Sequence, residues 1–85
     1  MKQVIIMDKN GLHARPASEI VSLAKNFPGE VFLQKNGVKC NAKSIMLVMG
    51  MNLKCGDMVE VIALGDGAYE IEAAIEAAIK KTDEE

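Results

Sequence analysis

The chain has 85 residues, 49% of them hydrophobic and 26% charged, a composition typical of a single globular domain spanning residues 1–85. A domain of this size buries one modest core and has no room for a deep substrate cavity with a lid. The net charge of −2, the single tyrosine and the absence of tryptophan argue against nucleic acid or an anionic membrane as a binding partner.

The first third of the chain predicts a strand, a turn and a helix. Gln3–Met7 is a short run rich in β-branched residues, which favours a strand, and Asp8–Gly11 then supplies turn-forming residues. From Ala14 onwards the apolar residues recur with a helical period, until Pro28 and Gly29 end the helix. The predicted buried stripe of this helix consists of Ala17, Ile20, Val21, Ala24 and Phe27.

The middle third predicts a hairpin followed by a short helix. Glu30–Lys35 and Val38–Asn41 have strand composition, and the Asn-Gly pair between them is the strongest short hairpin signal. An apolar helix is predicted over Ile45–Met51. Asn52 can end this helix because asparagine tolerates the left-handed backbone conformation.

The last third predicts one strand and the clearest helix of the chain. Met58–Leu64 is strongly β-forming, and the helix covers Ala68–Lys81 after a Gly-Asp-Gly turn. Glu70 and Glu72 lie near its N-terminus, where acidic side chains complement the helix dipole. We expect the tail, Thr82–Glu85, to be frayed. The predicted apolar stripe of this helix consists of Ile71, Ala74, Ile75, Ala78 and Ile79.

These elements follow the order β-α-β-β-α-β-α. Their simplest packing is a four-stranded antiparallel sheet with three helices on one face and the other face in water. The predicted fold is therefore an α+β open-faced β-sandwich.

The two cysteines, Cys40 and Cys55, are too far apart in sequence for a CxxC motif, and with one histidine they cannot complete a zinc shell. A disulfide between them is conceivable. However, the start of the chain lacks the features of a signal peptide, and no run approaches 18 apolar residues. We therefore expect a cytoplasmic protein without a metal, in which both cysteines are free thiols that serve as small packing residues.

The segment "NGLHARPAS", residues 10–18, carries the one histidine of the chain, His13, where the first helix begins. Amide groups and the helix dipole at such a start favour an anion, and Arg15 adds a charge suited to phosphate. The same environment favours a neutral, nucleophilic imidazole. A lone histidine at such a junction is more often an exposed polar residue or a weak cap. Asp8 is close in sequence, but nothing in the sequence shows that it points towards the ring.

This segment, joined to "NAKSIM" thirty residues on, resembles the HPr family, the histidine-containing phosphocarriers of the bacterial phosphoenolpyruvate:sugar phosphotransferase system. The likeness extends to the Asn-Gly hairpin, the "CGD" turn and the acidic C-terminal helix. It implies a monomeric carrier without a cofactor rather than an enzyme. By this resemblance, the Nδ1 nitrogen of His13 would take a phosphoryl group from phosphorylated enzyme I and pass it to IIA domains of sugar permeases. The same likeness assigns support of the phosphate to Arg15 and to the helix start at Ala14, Pro16 and Ala17.

Ser44 precedes the short apolar helix, where a serine hydroxyl is a common N-cap. The resemblance adds a regulatory role, because Gram-positive HPr proteins carry their regulatory serine in this context. HPr kinase/phosphorylase would modify it, which would slow transfer to the histidine and promote binding to a catabolite-control repressor. A phosphate at a helix N-terminus is compatible with the fold.

The short helix has more apolar residues than one buried face needs, so some of them must be exposed. Exposed methionine suits a surface that repacks against several partners. Leu47, Gly50 and Asn52 depart from the common family pattern, which leaves open which kinase and repressor contacts carry over. By resemblance, the docking surface for partner proteins includes Ile45, Met46, Met49 and Met51.

Two alternatives remain open from the sequence. One is an HPr-like regulatory protein that acts only through Ser44, although such relatives can lack the histidine that this chain retains. The other is a nucleic-acid-binding α+β module, which the acidic charge balance disfavours. The sequence does not show which sugars or permeases are served.

Overall fold

The computed structural model describes residues 1–81, which form four strands and three helices in the predicted order. The predicted open-faced α+β sandwich is confirmed. The predicted fraying of Thr82–Glu85 lies outside the described residues. None of the helices in this part of the chain is long and apolar enough to cross a membrane. The elements are β1 (Lys2–Ile5), α1 (Ala14–Lys25), β2 (Glu30–Lys35), β3 (Val38–Asn41), α2 (Ile45–Gly50), β4 (Met58–Leu64) and α3 (Ala68–Lys80).

The described strands form one antiparallel sheet in the order β1-β4-β2-β3. The β2–β3 hairpin turns at Asn36 and Gly37, whose φ angles of 52° and 81° are those that a tight type I′ turn needs. Side chains alternate between the two faces of the sheet, so that one face is buried beneath the helices. This inner face is supplied by Val4, Val31, Leu33, Val59, Val61 and Ala63.

Strand β1 ends at Ile5, two residues before the predicted end at Met7. Ile6 leaves the ladder with β4 because its backbone pairs with the turn that precedes β4. Its amide donates to the carbonyl of Asp57, and its carbonyl accepts from the amide of Gly56, both at 2.8 Å. This pairing joins the segment after β1 to the segment after α2.

Helices α1 and α3 cover the inner face of the sheet with the predicted apolar stripes. All five residues of the α1 stripe are buried, including Phe27, which lies just beyond the helix end at Lys25. In α3, Ile75, Ala78 and Ile79 are buried, and the other two stripe residues are half-buried. The periodicity of the sequence therefore identified the faces that form the core.

Glu72, one of the two acidic residues near the start of α3, is buried. Its carboxylate is buried, where Oε2 accepts a hydrogen bond from the amide of Ala63 at 2.9 Å. Oε1 lies 2.9 Å from the ammonium group of Met1. A buried carboxylate is tolerated only when it is paired in this way, and the pairing joins α3 to β4 and to the start of β1.

Both cysteines are free thiols, as predicted. Cys40 is half-buried on β3, whereas Cys55 is exposed in the turn before β4. The packing role expected for Cys55 is therefore wrong, because the turn that contains it lies at the surface. Its Sγ lies 3.6 Å from the carbonyl oxygen of Met7.

The turn before β4 is held by the carboxylate of Asp57. Its Oδ2 accepts hydrogen bonds from Nζ of Lys35 on β2 and from the amide of Lys54, both at 2.8 Å. The hydrogen bond from Lys35, followed by that from Lys54, lowers the pKa of Asp57 below the ordinary aspartate value. The ionised form of Asp57 therefore stabilises the turn with which Ile6 pairs.

We expect Asp57→Asn to reduce the acid dependence of the free energy of unfolding. A carboxyl whose pKa is lower in the folded state stabilises the protein above its unfolded pKa of about 4, and this stabilisation is lost as the pH falls through the folded pKa. The difference in the free energy of unfolding between the wild type and Asp57→Asn should therefore be greatest above about pH 5 and become smaller at lower pH. Urea unfolding across this pH range measures it. Asp66→Asn, in an exposed loop, is the control, and equal pH profiles for the wild type and Asp57→Asn would contradict the prediction.

Candidate functional site

The loop between β1 and α1 is shaped by Asp8. Its carbonyl accepts a hydrogen bond from the amide of Gly11, and its Oδ1 accepts one from the amide of Asn10, both at 2.8 Å. Such a bond from an aspartate oxygen to the backbone two residues on is an Asx turn, and it fixes the direction in which the loop leaves the strand. The loop therefore reaches the helix start in one defined conformation.

Gly11 and Leu12 attach this loop to the segment that follows α2. The amide of Leu12 donates to the carbonyl of Leu53 at 2.9 Å. Gly11 has a φ of +70°, and a Cβ added there would overlap the carbonyl oxygen of Leu53. Only glycine combines this backbone conformation with so close an approach. The position of His13 therefore depends on a contact between two loops that are about forty residues apart.

His13 is the N-cap residue of α1, with an extended backbone. Its side chain does not cap the helix, and it is 30% exposed. Nε2 of the ring lies 3.2 Å from Oδ2 of Asp8, a carboxylate that is 8% exposed. Because an ionised carboxylate only accepts hydrogen bonds, Nε2 donates in this contact. The imidazole thus lies at the surface with one nitrogen hydrogen-bonded to a buried carboxylate.

Asp8 is the residue of this site to which the sequence could assign no role, because its direction was left open. The side-chain orientation of a turn residue depends on the loop conformation, and that conformation depends on the tertiary contact with Leu53. A partial signal was nevertheless present, because an aspartate in a turn commonly accepts a hydrogen bond from the backbone amide two residues on, here that of Asn10.

The predicted phosphate-supporting residues occupy different positions in the first turn of α1. Ala14 and Arg15 are exposed at the helix start, whereas Pro16 and Ala17 are buried. The amide of Ala17 donates to the carbonyl of His13 at 3.0 Å, and Pro16 has no amide hydrogen. The geometry therefore gives Pro16 and Ala17 a role in shaping the helix start. The amides ahead of the hydrogen-bond ladder belong to Ala14 and Arg15.

Ser44 is the N-cap residue of α2, as its sequence context predicts. Its Oγ accepts a hydrogen bond from the amide of Leu47 at 3.2 Å. Nζ of Lys43 donates to the carbonyl of Phe27 at 2.8 Å, which attaches this segment to the C-terminal end of α1. Ser44 and His13 are therefore placed near opposite ends of α1.

Helix α2 exposes most of its apolar side chains, and only Val48 is buried. Met51 was predicted with the docking residues, yet it is half-buried and packs against the core, because it lies just beyond the helix end. Asn52 follows with the expected left-handed backbone, at a φ of 53°. Leu47, one of the departures from the family pattern, is exposed instead. We call the exposed set the α2 patch, which consists of Ile45, Met46, Leu47 and Met49.

The described residues contain no group of three or more histidine, cysteine or acidic side chains that could hold a metal ion. The site therefore consists of a surface imidazole, the helix start beneath it and the apolar α2 patch. An open-faced α+β sandwich with one surface histidine at the start of its first helix is the arrangement expected of the small phosphocarrier proteins that the sequence resembles.

Comparison with known proteins places the chain within that class. The family model described as the PTS HPr component phosphorylation site matches residues 1–81. The chain therefore belongs to the HPr family of the phosphotransferase system.

Individual relatives fall into two groups within the family. The HPr-like protein Crh of Halalkalibacterium halodurans is 41% identical over 80 residues, which cover 94% of this chain and 95% of that protein. The crystal structure of the phosphocarrier protein HPr from Bacillus anthracis is 38% identical, with a TM-score of 0.85 and coverage of 93% of this chain and 94% of that chain. Bacillus subtilis Crh, whose crystal structure is described as a swapped dimer, is 39% identical. Its TM-score is 0.74, and the match covers 94% of this chain and 92% of that chain.

We expect Gly11→Ala to destabilise the fold by about 2–3 kcal/mol, because alanine is strained at positive φ and would overlap the carbonyl of Leu53. Urea unfolding measures this loss. Gly50→Ala is the matched control: its added Cβ meets nothing within 4 Å, and its stability should be unchanged or slightly higher. Equal stability of Gly11→Ala and Gly50→Ala would contradict the prediction.

Proposed function

We propose that this protein is a phosphocarrier that accepts a phosphoryl group on Nδ1 of His13 from phosphorylated enzyme I. It then passes the group to the IIA domains of sugar permeases. The observation that carries the proposal is the partly exposed imidazole at the N-cap of α1, with Nε2 beside the carboxylate of Asp8, in a chain of the HPr family. In this proposal the protein acts in the cytoplasm.

The transfer itself is a nucleophilic substitution at phosphorus. The lone pair of Nδ1 attacks, a phosphorus–nitrogen bond forms, and the bond from phosphorus to the donor breaks as the donor retains its electron pair. The reverse sequence delivers the phosphoryl group to the next protein. Little catalytic machinery is required in this chain, because the partner positions the reacting groups in line.

The negative phosphoryl group is supported by the helix start. The amides of the first turn of α1 and the positive end of its dipole lie next to His13, and they favour an anion there. Arg15, two residues on, supplies a permanent positive charge. Neither the helix start nor Arg15 needs a cavity to stabilise the phosphoryl group. This is consistent with transfer of the group between protein surfaces.

The α2 patch is proposed as the docking surface for enzyme I and the IIA domains. Its four apolar side chains are each at least 40% exposed, and methionine adapts to differently shaped partners. We propose that the working form is a monomer. The swapped dimer described for Crh is the alternative to test by sedimentation.

A second function, regulation through Ser44, is supported by the likeness to proteins named Crh. In this proposal HPr kinase/phosphorylase phosphorylates Ser44, and the product binds a catabolite-control repressor. The hydroxyl of Ser44 accepts a backbone hydrogen bond from Leu47 at 3.2 Å, at an exposed helix start. The added charge would stand directly beside the α2 patch, which would weaken docking of enzyme I by changing the surface that it contacts.

Incubation with phosphoenolpyruvate and enzyme I tests the carrier function. We expect the intact protein to gain one acid-labile phosphoryl group by mass spectrometry, and His13→Ala to reduce the rate at least 100-fold because the nucleophile is gone. Ser44→Ala is the control and should still accept the group. No mass gain by the wild type would exclude the carrier function, and normal gain by His13→Ala would exclude the assigned residue.

Incubation with ATP and HPr kinase/phosphorylase tests the regulatory function. We expect an acid-stable phosphate that Ser44→Ala abolishes, and an at least tenfold slower transfer from enzyme I to the phosphoserine form. His13→Ala is the control, since it retains Ser44 and should be phosphorylated at the wild-type rate. An acid-stable phosphate that persists in Ser44→Ala would show that the modified residue is a different one.

A further inference from the structure

We propose that Asp8 is a positioning residue that directs the phosphoryl group to Nδ1 of His13. The proposal rests on the proposed function of His13 as the phosphoryl acceptor, and it assigns to this chain the choice between the two ring nitrogens. Asp8 acts through the imidazole and does not contact the phosphoryl group.

The two carboxylate oxygens of Asp8 have separate partners. Oδ1 accepts the hydrogen bond from the amide of Asn10 at 2.8 Å, which holds the side chain in one rotamer. Oδ2 is thereby directed at the ring, 3.2 Å from Nε2 of His13. The side chain is only 8% exposed, so water competes weakly for this contact. The same turn that shapes the loop therefore orients the imidazole.

This contact determines where the proton of the neutral ring resides. An ionised carboxylate cannot donate, so Nε2 carries hydrogen, and the lone pair of the neutral imidazole is on Nδ1. When Nδ1 attacks, the bond from phosphorus to the leaving group breaks with its electron pair. The ring then carries a positive charge, while the proton stays on Nε2. The carboxylate stabilises that charge by a hydrogen bond between two ionised groups.

Asp8→Asn separates this role from the structural role of the turn. The amide oxygen of asparagine can replace Oδ1 in the Asx turn, because both accept the amide hydrogen of Asn10. The amide nitrogen then faces Nε2 and donates to it, so the neutral ring must carry its proton on Nδ1. An asparagine in place of a histidine-orienting aspartate is known to hold the wrong tautomer in the serine-protease triad. Asp8→Ala removes the contacts of the carboxylate with Asn10 and His13 and leaves the ring without a bias from residue 8.

The test uses phosphoramidate, a small phosphoryl donor that needs no enzyme I and releases ammonia when its phosphorus–nitrogen bond breaks. The site of phosphorylation is read by ³¹P and ¹⁵N NMR on the full chain, and the tautomer of the unmodified ring is read from its ¹⁵N shifts. We expect wild-type protein to be phosphorylated first at Nδ1. The initial ratio of Nδ1 to Nε2 product should fall about tenfold or more in Asp8→Asn, with Asp8→Ala between the two.

Asp66→Asn is the matched control, because it makes the same charge change in the loop at the opposite end of α1. It should retain the wild-type ratio and tautomer. Amide NMR spectra show whether Asp8→Asn and Asp8→Ala are folded. If the folded variants also retain the wild-type product ratio and the wild-type tautomer, Asp8 has only a structural role and the proposal is overturned. Since this reaction needs no partner protein, it stays informative even if enzyme I fails to phosphorylate the chain.

Discussion

The contact between the β1–α1 loop and the carbonyl of Leu53 positions both His13 and the α2 patch, the two surfaces to which we assign a function. Leu12 donates a hydrogen bond to this carbonyl, and Gly11 approaches it too closely for any side chain to fit. On one side of the contact the chain continues into His13 and α1. On the other side it comes directly from α2 and its exposed apolar residues. A small protein can therefore keep its proposed acceptor and its proposed docking surface in a constant relation without a deep cavity or a second domain.

Helix α1 separates the proposed acceptor, His13, from the proposed regulatory serine, Ser44. His13 caps its start, and Lys43 attaches the Ser44 segment to the carbonyl of Phe27 just beyond its end. A helix of 12 residues is about 18 Å long, roughly twice the distance over which exposed charges interact at physiological ionic strength. A phosphate on Ser44 would therefore act on transfer mainly through the α2 patch, which begins at the next residue, and only weakly through direct repulsion of the phosphoryl group on His13.

Two buried carboxylates, those of Glu72 and Asp8, have different roles in the molecule. Glu72 joins α3 to β4 and to the ammonium group of Met1, and it belongs to the stable core. Asp8 instead divides its oxygens between the backbone of Asn10 and the ring of His13. Burial of a carboxylate is unfavourable unless each oxygen finds a donor. At Glu72 the donors hold the fold together, whereas at Asp8 one of them is the imidazole of His13, the proposed phosphoryl acceptor.

Local patterns in the sequence determined the order of elements, the buried stripes of α1 and α3, the Asn-Gly hairpin and the serine cap of α2. Each of these depends on residues that are near one another in the chain, so periodicity and turn chemistry suffice. The resemblance carried by "NGLHARPAS" and "NAKSIM" indicated the family. Only the tertiary structure decided that Asp8 faces His13, that Glu72 is buried and that Leu47 is exposed while Met51 packs inward. It also decided that β1 ends at Ile5, because the next residue pairs with the turn before β4. These features arise where segments remote in sequence meet, and the direction of a side chain there depends on how whole elements pack together.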